Sequence, residues 1–361
     1  CGALAFSAKF DYHGENKAVG SVVAMVRKFI CALIAVLLTF PLASFIAAED
    51  IPAVVELPTV VTPMQTAQEE TEANASEEAS ASEEPSEDAD EPSLAELFDE
   101  FRAARNLTEY NFAISYYDTV TGESYDWNET HMMIAGSTFK LPLNLYYYEL
   151  ENAGEIAPDA LITQGGATLD WCHYLSIVES NNEISHALLY RIGNFRDYKN
   201  AMRTYFTMTD EEIDPKYYQD NYYCTRMMMD TLKVVWDGQE NYTELIDDLK
   251  IACPDAYFKT YIDVDETPIA HKYGSYNGAE NDVGIIWAER PFLLAVYTSG
   301  LSYGPGGNVD AAYADGQSAG SVICGQLAVL GAQLGNRPEI ERAQRAGLDA
   351  DRLFPLGDAL V

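Results

Sequence analysis

The strongest constraint on the fold is the order in which the hydrophobic pattern changes along the chain. The pattern is strand-like first, then helical over residues 137–249, and then strand-like again. The strand-like runs are residues 111–117, 123–127, 268–274, 282–287 and 292–298. Early and late strands can share one sheet while the helices lie between them in sequence. We therefore predict an α/β fold, with an antiparallel β-sheet flanked by helices plus a helical subdomain, and a site in the cleft between them.

Globular patterning begins at residue 93. Ser93 is an N-cap candidate for a helix over residues 94–104, whose apolar side chains share one face. Residues 119–122 separate the first two strand-like runs and predict the turn of a β-hairpin. We therefore place the folded domain at residues 93–305 and expect it to be a monomer.

Residues 25–48 have the outline of a secretory signal peptide. Arg27 and Lys28 precede an uncharged run that begins at Phe29 and ends in small residues. The run is also about as long as a membrane span, so an uncleaved membrane anchor is the alternative. Residues 1–24 show no helical or strand period, and we expect them to be a non-native or unstructured extension. We expect a protein that is secreted, or anchored with its domain outside the cell, in the bacterial cell envelope.

The charge of the chain is strongly negative. There are 57 Asp and Glu against 22 Lys and Arg, which gives a net charge of -35. Residues 49–92 contain no Lys or Arg and few large apolar residues, so we predict an acidic disordered linker there. Nucleic acid is excluded as a partner because binding phosphates requires clustered Lys and Arg. Contact with a membrane is expected only through the N-terminal segment.

Residues 306–361 differ from the rest in composition, because tyrosine disappears after Tyr313 and arginine becomes more frequent. We predict one helix over about residues 321–334 that packs on the sheet, and we make no prediction for the remainder. Residues 316–320 read Gly-Gln-Ser-Ala-Gly, the pattern of the nucleophile elbow of α/β-hydrolases. No histidine follows Ser318 and no strand pattern precedes it, so we do not take it as the nucleophile.

The cysteines and histidines give no sign of a metal site or a cofactor. The cysteines beyond the export segment are Cys172, Cys224, Cys253 and Cys324, with no Cys-x-x-Cys pair among them. An oxidising exterior permits a disulfide, but buried free thiols are an equal alternative. The histidines lack ligand spacing, so we predict no metal and no cofactor.

A serine and a lysine are placed for acyl transfer at the start of the helical stretch. Ser137 precedes Lys140 by three residues, so both lie on one face of a helix. The helix N-terminus offers free backbone N–H groups for an oxyanion, and a lysine amine accepts the serine proton when burial and a second cation lower its pKa. Ser-x-x-Lys alone is common, so the prediction depends on further motifs.

Two further motifs follow in order. Ser180-Asn181-Asn182 opens a helical run, and Lys272-Tyr273-Gly274 ends a strand-like run. Together with Ser137-Thr138-Phe139-Lys140 they resemble the three signature motifs of the class A β-lactamases and penicillin-binding proteins. The resemblance covers roughly residues 94–301.

The resemblance implies a role for each matched residue. Ser137 is then the acylated nucleophile and Lys140 its base. Ser180 relays a proton to the leaving nitrogen, and the side chain of Asn182 holds the amide of the substrate. Lys272 provides positive charge for a substrate carboxylate and lowers the pKa of Lys140.

The resemblance also implies an oxyanion hole and a binding strand. The oxyanion hole is formed by the backbone N–H groups of Ser137 and Ser275. Lys272, Tyr273, Gly274 and Ser275 line the substrate.

The chain departs from the family pattern in three places. Asn181 stands where the family has Asp, and Tyr273 stands where it has a short hydroxyl residue that helps to bind the substrate carboxylate. The family loop that activates the deacylating water has no matching motif between residues 210 and 221. Glu211 and Glu212 are the candidates there for the deacylating carboxylate, although a solvated loop is the simpler interpretation.

We therefore expect a serine hydrolase that forms an acyl-enzyme with a β-lactam or a D-Ala-D-Ala-type cell-wall peptide. The alternatives are a penicillin-binding or peptidase-like protein with slow deacylation, and an exported binding module of the same fold with weak catalysis.

Overall fold

The computed structural model describes residues 92–314 and 316–335. The predicted signal or anchor of residues 25–48 and the acidic linker lie outside the described residues, as do residues 1–24 and 336–361. The strands are β1 (Phe112–Asp118), β2 (Ser124–Trp127), β3 (Met133–Ile134), β4 (Tyr222–Tyr223), β5 (Ile269–Tyr276), β6 (Ala279–Ile286) and β7 (Phe292–Thr298). The α-helices are α1 (Leu94–Ala104), α2 (Lys140–Asn152), α3 (Leu169–Ile177), α4 (Asn182–Ile192), α5 (Phe195–Met202), α6 (Thr225–Asp237), α7 (Thr243–Ile251) and α8 (Ala319–Gly335).

Early and late strands share one sheet, as the pattern predicts. The 5-stranded sheet has the order β2-β1-β7-β6-β5, and all its neighbours are antiparallel. The first strand of the late group, β5, lies at one edge, whereas the early hairpin lies at the other. Helices α2 to α7 come between these groups in sequence. The predicted α/β class, with an antiparallel sheet and inserted helices, is confirmed.

Both faces of the sheet are covered. The side chains of β7 point alternately into two hydrophobic cores, one on each face. One set of its side chains faces the core that contains α2 and α6, and this set is Leu293, Ala295 and Tyr297. The intervening side chains face the core that contains α1 and α8, and these are Phe292, Leu294 and Val296. A central strand that is buried on both faces is a continuous apolar run, which is what the sequence of β7 is.

The local predictions at the start of the domain are confirmed. Helix α1 begins after Ser93, whose hydroxyl accepts a hydrogen bond from the N–H of Glu96 at 3.2 Å. The Glu96 side chain accepts from the N–H of Ser93 in return, at 2.7 Å, which completes a capping box. The predicted hairpin turn lies between β1 and β2, where the N–H of Asp118 donates to the carbonyl of Glu123 at 2.9 Å.

Helix α8 packs on the sheet and is buried along most of its length. Val322, Ile323 and Leu327 are at most 1% exposed and contribute to the same core as α1. A Cβ added at Gly331 would lie 2.6 Å from the ring of Phe292, so the helix approaches β7 closely at this point. The last turns of the described chain are therefore part of the domain core.

The cysteines of the described chain are free thiols, with Cys172, Cys224 and Cys324 buried and Cys253 half-buried. Across residues 92–314 and 316–335, no helix combines the length and the apolar character that crossing a bilayer requires.

The packing of α8 generates a stability prediction. Leu327→Ala should lower the free energy of unfolding by about 2–5 kcal/mol, because it removes buried methyl groups and leaves a cavity. The matched control is Leu161→Ala, whose leucine is 62% exposed and should change that free energy by less than about 0.5 kcal/mol. Denaturant titration of both variants measures the difference. Equal effects would show that α8 is not part of the cooperative core.

Candidate active site

Ser137 lies at the start of the helical stretch, in a 3₁₀ helix (Gly136–Phe139) that leads into α2. Residues three apart in a 3₁₀ helix are eclipsed, so Ser137 and Lys140 lie on the same side. Ser137 is half-buried, while the Lys140 side chain is fully buried. The N–H of Ser137 is in the first turn, where a helix has no internal acceptor to offer it.

Two glycines let the Ser137 segment touch the end of β5. A Cβ at Gly274 would lie 2.3 Å from the carbonyl of Ala135 and 2.7 Å from the nitrogen of Ser137. A Cβ at Gly136, whose φ is +58°, would lie 2.8 Å from the nitrogen of Ser275. The two backbone segments are thus in direct contact. This contact brings together the residues whose N–H groups the sequence predicts to form an oxyanion hole.

Two asparagines bind the backbone just before Ser137, and neither was predicted from the sequence as a site residue. The side-chain amide of Asn221 donates to the carbonyl of Gly136 at 2.7 Å. The backbone carbonyl of Asn221 accepts from the N–H of Ala135 at 2.9 Å. The buried Asn281 side chain donates to the carbonyl of Ile134 at 2.7 Å. These contacts join residues far apart in sequence, so no local pattern reveals them.

The side chains of the three motifs converge on the hydroxyl of Ser180. The Lys140 amine lies 3.1 Å from this hydroxyl, and the Lys272 amine also lies 3.1 Å from it. Lys140 further donates to the Ser180 carbonyl at 2.5 Å and to the Asn182 side chain at 2.8 Å. The motifs therefore form one hydrogen-bonded cluster.

The Lys140 amine makes no hydrogen bond with the Ser137 hydroxyl in the described chain. Its bonds to Ser180 and Asn182 engage every N–H donor that an ammonium group has. The neutral amine of Lys140 has one N–H donor fewer than the ammonium form, and it has a free lone pair on nitrogen. It can then accept a proton from a nearby hydroxyl.

The turn at Ser180 presents its side chain to both lysines. Ser180 has φ +50°, a left-handed conformation that is uncommon outside glycine. The next residue, Asn181, is the N-cap of α4, and its side chain accepts from the N–H of Ile184 at 3.0 Å. Asn181 thus caps the first turn of α4.

Both lysines of the cluster have a lowered pKa. Burial lowers the pKa of Lys140 to about 7. Burial, and then the positive charge of Lys140, lower the pKa of Lys272 to about 7. Removing water disfavours the ammonium form, and a second ammonium close by disfavours it further. The cluster can therefore hold a neutral amine near neutral pH.

Tyr273 and Ser275 lie on β5 next to this cluster. The Lys272 amine is 4.0 Å from the centre of the Tyr273 ring, and that ring packs on Tyr257 at 5.2 Å. Ser275 is exposed, and its hydroxyl donates to the side chain of Glu280 at 2.8 Å. The predicted binding residues thus share one strand, and Glu280 is a neighbour that the sequence analysis did not identify.

Glu211 and Glu212 are exposed and form no hydrogen bond or ion pair with the lysine cluster in the described residues. The Glu212 side chain accepts from the N–H of Thr209 at 2.7 Å and lies 3.7 Å from Arg226. These contacts are those of a solvated turn.

The Ser318 hydroxyl accepts from the N–H of Ser321 at 3.1 Å, at the start of α8. Within residues 92–314 and 316–335, no group of three or more His, Cys, Asp or Glu side chains is placed to hold a metal ion.

Comparison with known proteins identifies the family. Residues 96–315 match the model of the beta-lactamase enzyme family. This match covers more than half of the chain, and the protein therefore belongs to the beta-lactamase enzyme family. No curated protein sequence matches the chain with significance.

Solved structures share the fold at low sequence identity. An ancestral class A β-lactamase has a TM-score of 0.53 and 19% identity, over 66% of this chain and 100% of that chain. The class A β-lactamase of the last common ancestor of Gram-negative bacteria has the same TM-score and identity, over 65% of this chain and 98% of that chain. A mutant of PBP-A has a TM-score of 0.52 and 14% identity, over 67% and 97%.

The contact between the two glycines generates a prediction. Gly274→Ala should lower the free energy of unfolding by about 1–3 kcal/mol, because the added methyl group forces the Ser137 segment away from β5. The control is Gly165→Ala, where the nearest atom to the new Cβ is 3.7 Å away and the change should stay within about 1 kcal/mol. Denaturant titration compares the two. An unchanged stability of Gly274→Ala would contradict the close approach.

Proposed function

We propose that this protein is a serine hydrolase that forms an acyl-enzyme on Ser137 with a β-lactam or a D-Ala-D-Ala-type peptide. The observation that carries the proposal is the cluster of two buried lysine amines on one serine hydroxyl, each 3.1 Å from Ser180 Oγ. Acyl transfer needs a base and a proton donor beside the nucleophile, and Lys140, three residues after Ser137, and Ser180, which bonds to Lys140, are the groups proposed for these roles.

In the first step, the neutral amine of Lys140 accepts the proton of the Ser137 hydroxyl. The Ser137 oxygen then bonds to the acyl carbon of the substrate. The N–H groups of Ser137 and Ser275 stabilise the oxyanion, because charge develops where these two segments meet. The Asn182 side chain holds the amide of the substrate.

In the second step, the acyl carbon–nitrogen bond breaks. The proton that came from Ser137 passes from Lys140 through the Ser180 hydroxyl to the leaving nitrogen. Lys272 keeps Ser180 oriented through its own hydrogen bond. Water then hydrolyses the ester, which restores the Ser137 hydroxyl and releases the acid.

The solved neighbours support this chemistry. PBP-A, in mutant form, has been captured as an acyl-enzyme complex with penicillin G. The other neighbours are class A β-lactamases. The hydrogen bonds of Lys140 and Lys272 to the Ser180 hydroxyl link the three motifs of the present chain, which supports the same type of acyl-enzyme here.

A penicillin-binding or peptidase-like protein with slow deacylation is the second candidate. The contacts of Glu212 with Thr209 and Arg226 favour it, because a deacylating base must reach a water that touches the ester. Glu211 and Glu212 are both exposed side chains of a solvated turn. Under this candidate the adduct on Ser137 is long-lived.

We also propose that the protein is exported, as a secreted or membrane-anchored protein of the cell envelope. The basic and then apolar pattern of residues 25–48 and the acidic segment that follows support this location.

The proposal predicts covalent labelling of Ser137. A fluorescent penicillin should add one equivalent to the protein, and Ser137→Ala should abolish the labelling because it removes the attacking oxygen. The control is Ser318→Ala, whose serine only caps α8 and which should label normally. Gel fluorescence and peptide mass spectrometry measure the adduct. Labelling that persists in Ser137→Ala would overturn the assignment, and the lifetime of the adduct separates slow from rapid deacylation.

The lowered pKa of Lys140 predicts the pH dependence of acylation. Only the neutral amine accepts a proton, so the acylation rate should rise with pH through the pKa of about 7 and level off above it. Lys140→Met should abolish this rise and slow acylation by about 10²–10⁴-fold, the contribution of a positioned base. The exposed Lys250 gives the control, because Lys250→Ala should keep the profile. Stopped-flow acylation from pH 5.5 to 8.5 tests this, and a flat wild-type profile would exclude Lys140 as the base.

A further inference from the structure

Glu280 lies directly beside the strand that is expected to bind the substrate. It is the cross-strand partner of Ser275 in the pairing of β5 with β6. The Ser275 hydroxyl donates to Glu280 Oε1 at 2.8 Å, and the Tyr257 hydroxyl donates to Glu280 Oε2. Two hydroxyl donors thus hold the carboxylate at the edge of the site.

The packing around Glu280 leaves its side chain little freedom. A Cβ at Gly320 would lie 2.3 Å from the Cβ of Glu280, so the first turn of α8 is pressed against the stem of the side chain. The start of a helix also favours a nearby negative charge. Tyr257 packs on Tyr273, which links the position of Glu280 to β5. Burial, and then the bond to Glu280, raise the pKa of Tyr257, so its hydroxyl keeps the proton that it donates.

The hydrogen bond between Ser275 and Glu280 changes what Ser275 can bind. A serine hydroxyl has one donor and two acceptor lone pairs. In this structure the donor is used by Glu280, so it is not free for a substrate carboxylate. A substrate carboxylate placed at hydrogen-bond distance from the Ser275 oxygen would also lie within about 6 Å of the Glu280 carboxylate, because Glu280 already lies 2.8 Å from that oxygen. Like charges at that separation repel each other.

The positive charge of Lys272 does not offset the repulsion between Glu280 and a substrate carboxylate at the exposed end of β5. Lys272 is fully buried, and its amine bonds to the Ser180 hydroxyl and the Tyr273 carbonyl. Glu280 forms no ion pair with Lys or Arg within the described parts of the chain. The exposed end of the binding strand therefore presents acceptors and negative charge.

We propose that Glu280 selects acyl donors whose leaving side carries an N–H donor, such as a carboxamide or an amine, and disfavours those with a free carboxylate there. This inference rests on the proposed function, and it ranks a bond within a peptide or next to an amidated end above substrates with a free carboxylate, such as penicillins, which acylate Ser137 but bind less tightly. The substrate N–H group donates to the free lone pairs of Ser275 and to Glu280. A free terminal carboxylate meets repulsion at the same place.

The test compares two ligands that differ only in this group, an N-acetylated D-Ala-D-Ala peptide and its C-terminal amide. Binding to the Ser137→Ala protein is measured by calorimetry, so that no chemistry is needed. The amide should bind at least about tenfold more tightly than the acid at low salt. In 1 M salt the preference should shrink, because screening weakens the repulsion.

The same measurement in Ser137→Ala/Glu280→Gln should reduce the preference to less than about threefold. The matched control is Ser137→Ala/Glu289→Gln, which neutralises an exposed glutamate beyond the other end of β6 and should keep the preference. Acid that binds as tightly as amide, an unchanged preference in the Glu280 variant, or no binding of either ligand would overturn the inference. The salt titration tests it even if that variant does not fold.

Acylation of the wild-type protein separates this inference from the proposed function. If the amide is preferred in binding but Ser137 is acylated by neither peptide nor penicillin, the selectivity of Glu280 stands and the hydrolase proposal fails. If Ser137 is acylated but the acid is preferred, the hydrolase proposal stands and the role of Glu280 fails.

Discussion

Two lysine amines that share one serine hydroxyl are the interaction on which the rest of the site depends. Lys140 and Lys272 are both fully buried, and each lies 3.1 Å from Ser180 Oγ. Burial lowers the pKa of Lys140 to about 7, and burial followed by the positive charge of Lys140 lowers the pKa of Lys272 to about 7. The surrounding fold must compensate for this by packing the lysine stems and by placing carbonyl and amide oxygens around the amines.

The fold meets this demand at one edge of its sheet. Strand β5 carries Lys272 and is the edge strand of the sheet among the described residues, and the 3₁₀ helix of Ser137 lies against its end. The glycines at 136 and 274 allow the backbones to touch. Asn221 and Asn281 then fix the segment through hydrogen bonds to its carbonyl groups. The sheet edge and the short helix thereby bring together the residues proposed as nucleophile, base and backbone donors, which are Ser137, Lys140 and Ser275. Glu280 lies on the neighbouring strand β6 and pairs with Ser275 of β5, so the proposed acyl-transfer groups and the proposed selectivity are adjacent in the sheet.

Much of the fold could be predicted because its signals are local. The capping box of Ser93 and Glu96, the hairpin turn before β2 and the apolar run of β7 follow from residues close together in sequence. Asn181 was recognised as a departure from the family, and the structure shows that it caps α4. Within the site, only the residues that belong to the three motifs could be predicted from the sequence. Asn221, Tyr257 and Glu280 were missed because each acts through a partner that is distant in sequence or through a cross-strand pair.

The sequence by itself determined the order of strands and helices, the family resemblance and the identity of Ser137, Lys140, Ser180 and Lys272 as a set. These features depend on hydrophobic periodicity and on short motifs, both of which involve residues close together in sequence. Only the tertiary structure decided that both lysines meet at one hydroxyl and that the Ser275 hydroxyl is engaged by Glu280. Such contacts depend on the strand register and on the close approach of two glycines. The contacts of the Ser137 segment arise from packing between residues as far as 147 positions apart, and no local pattern encodes that packing.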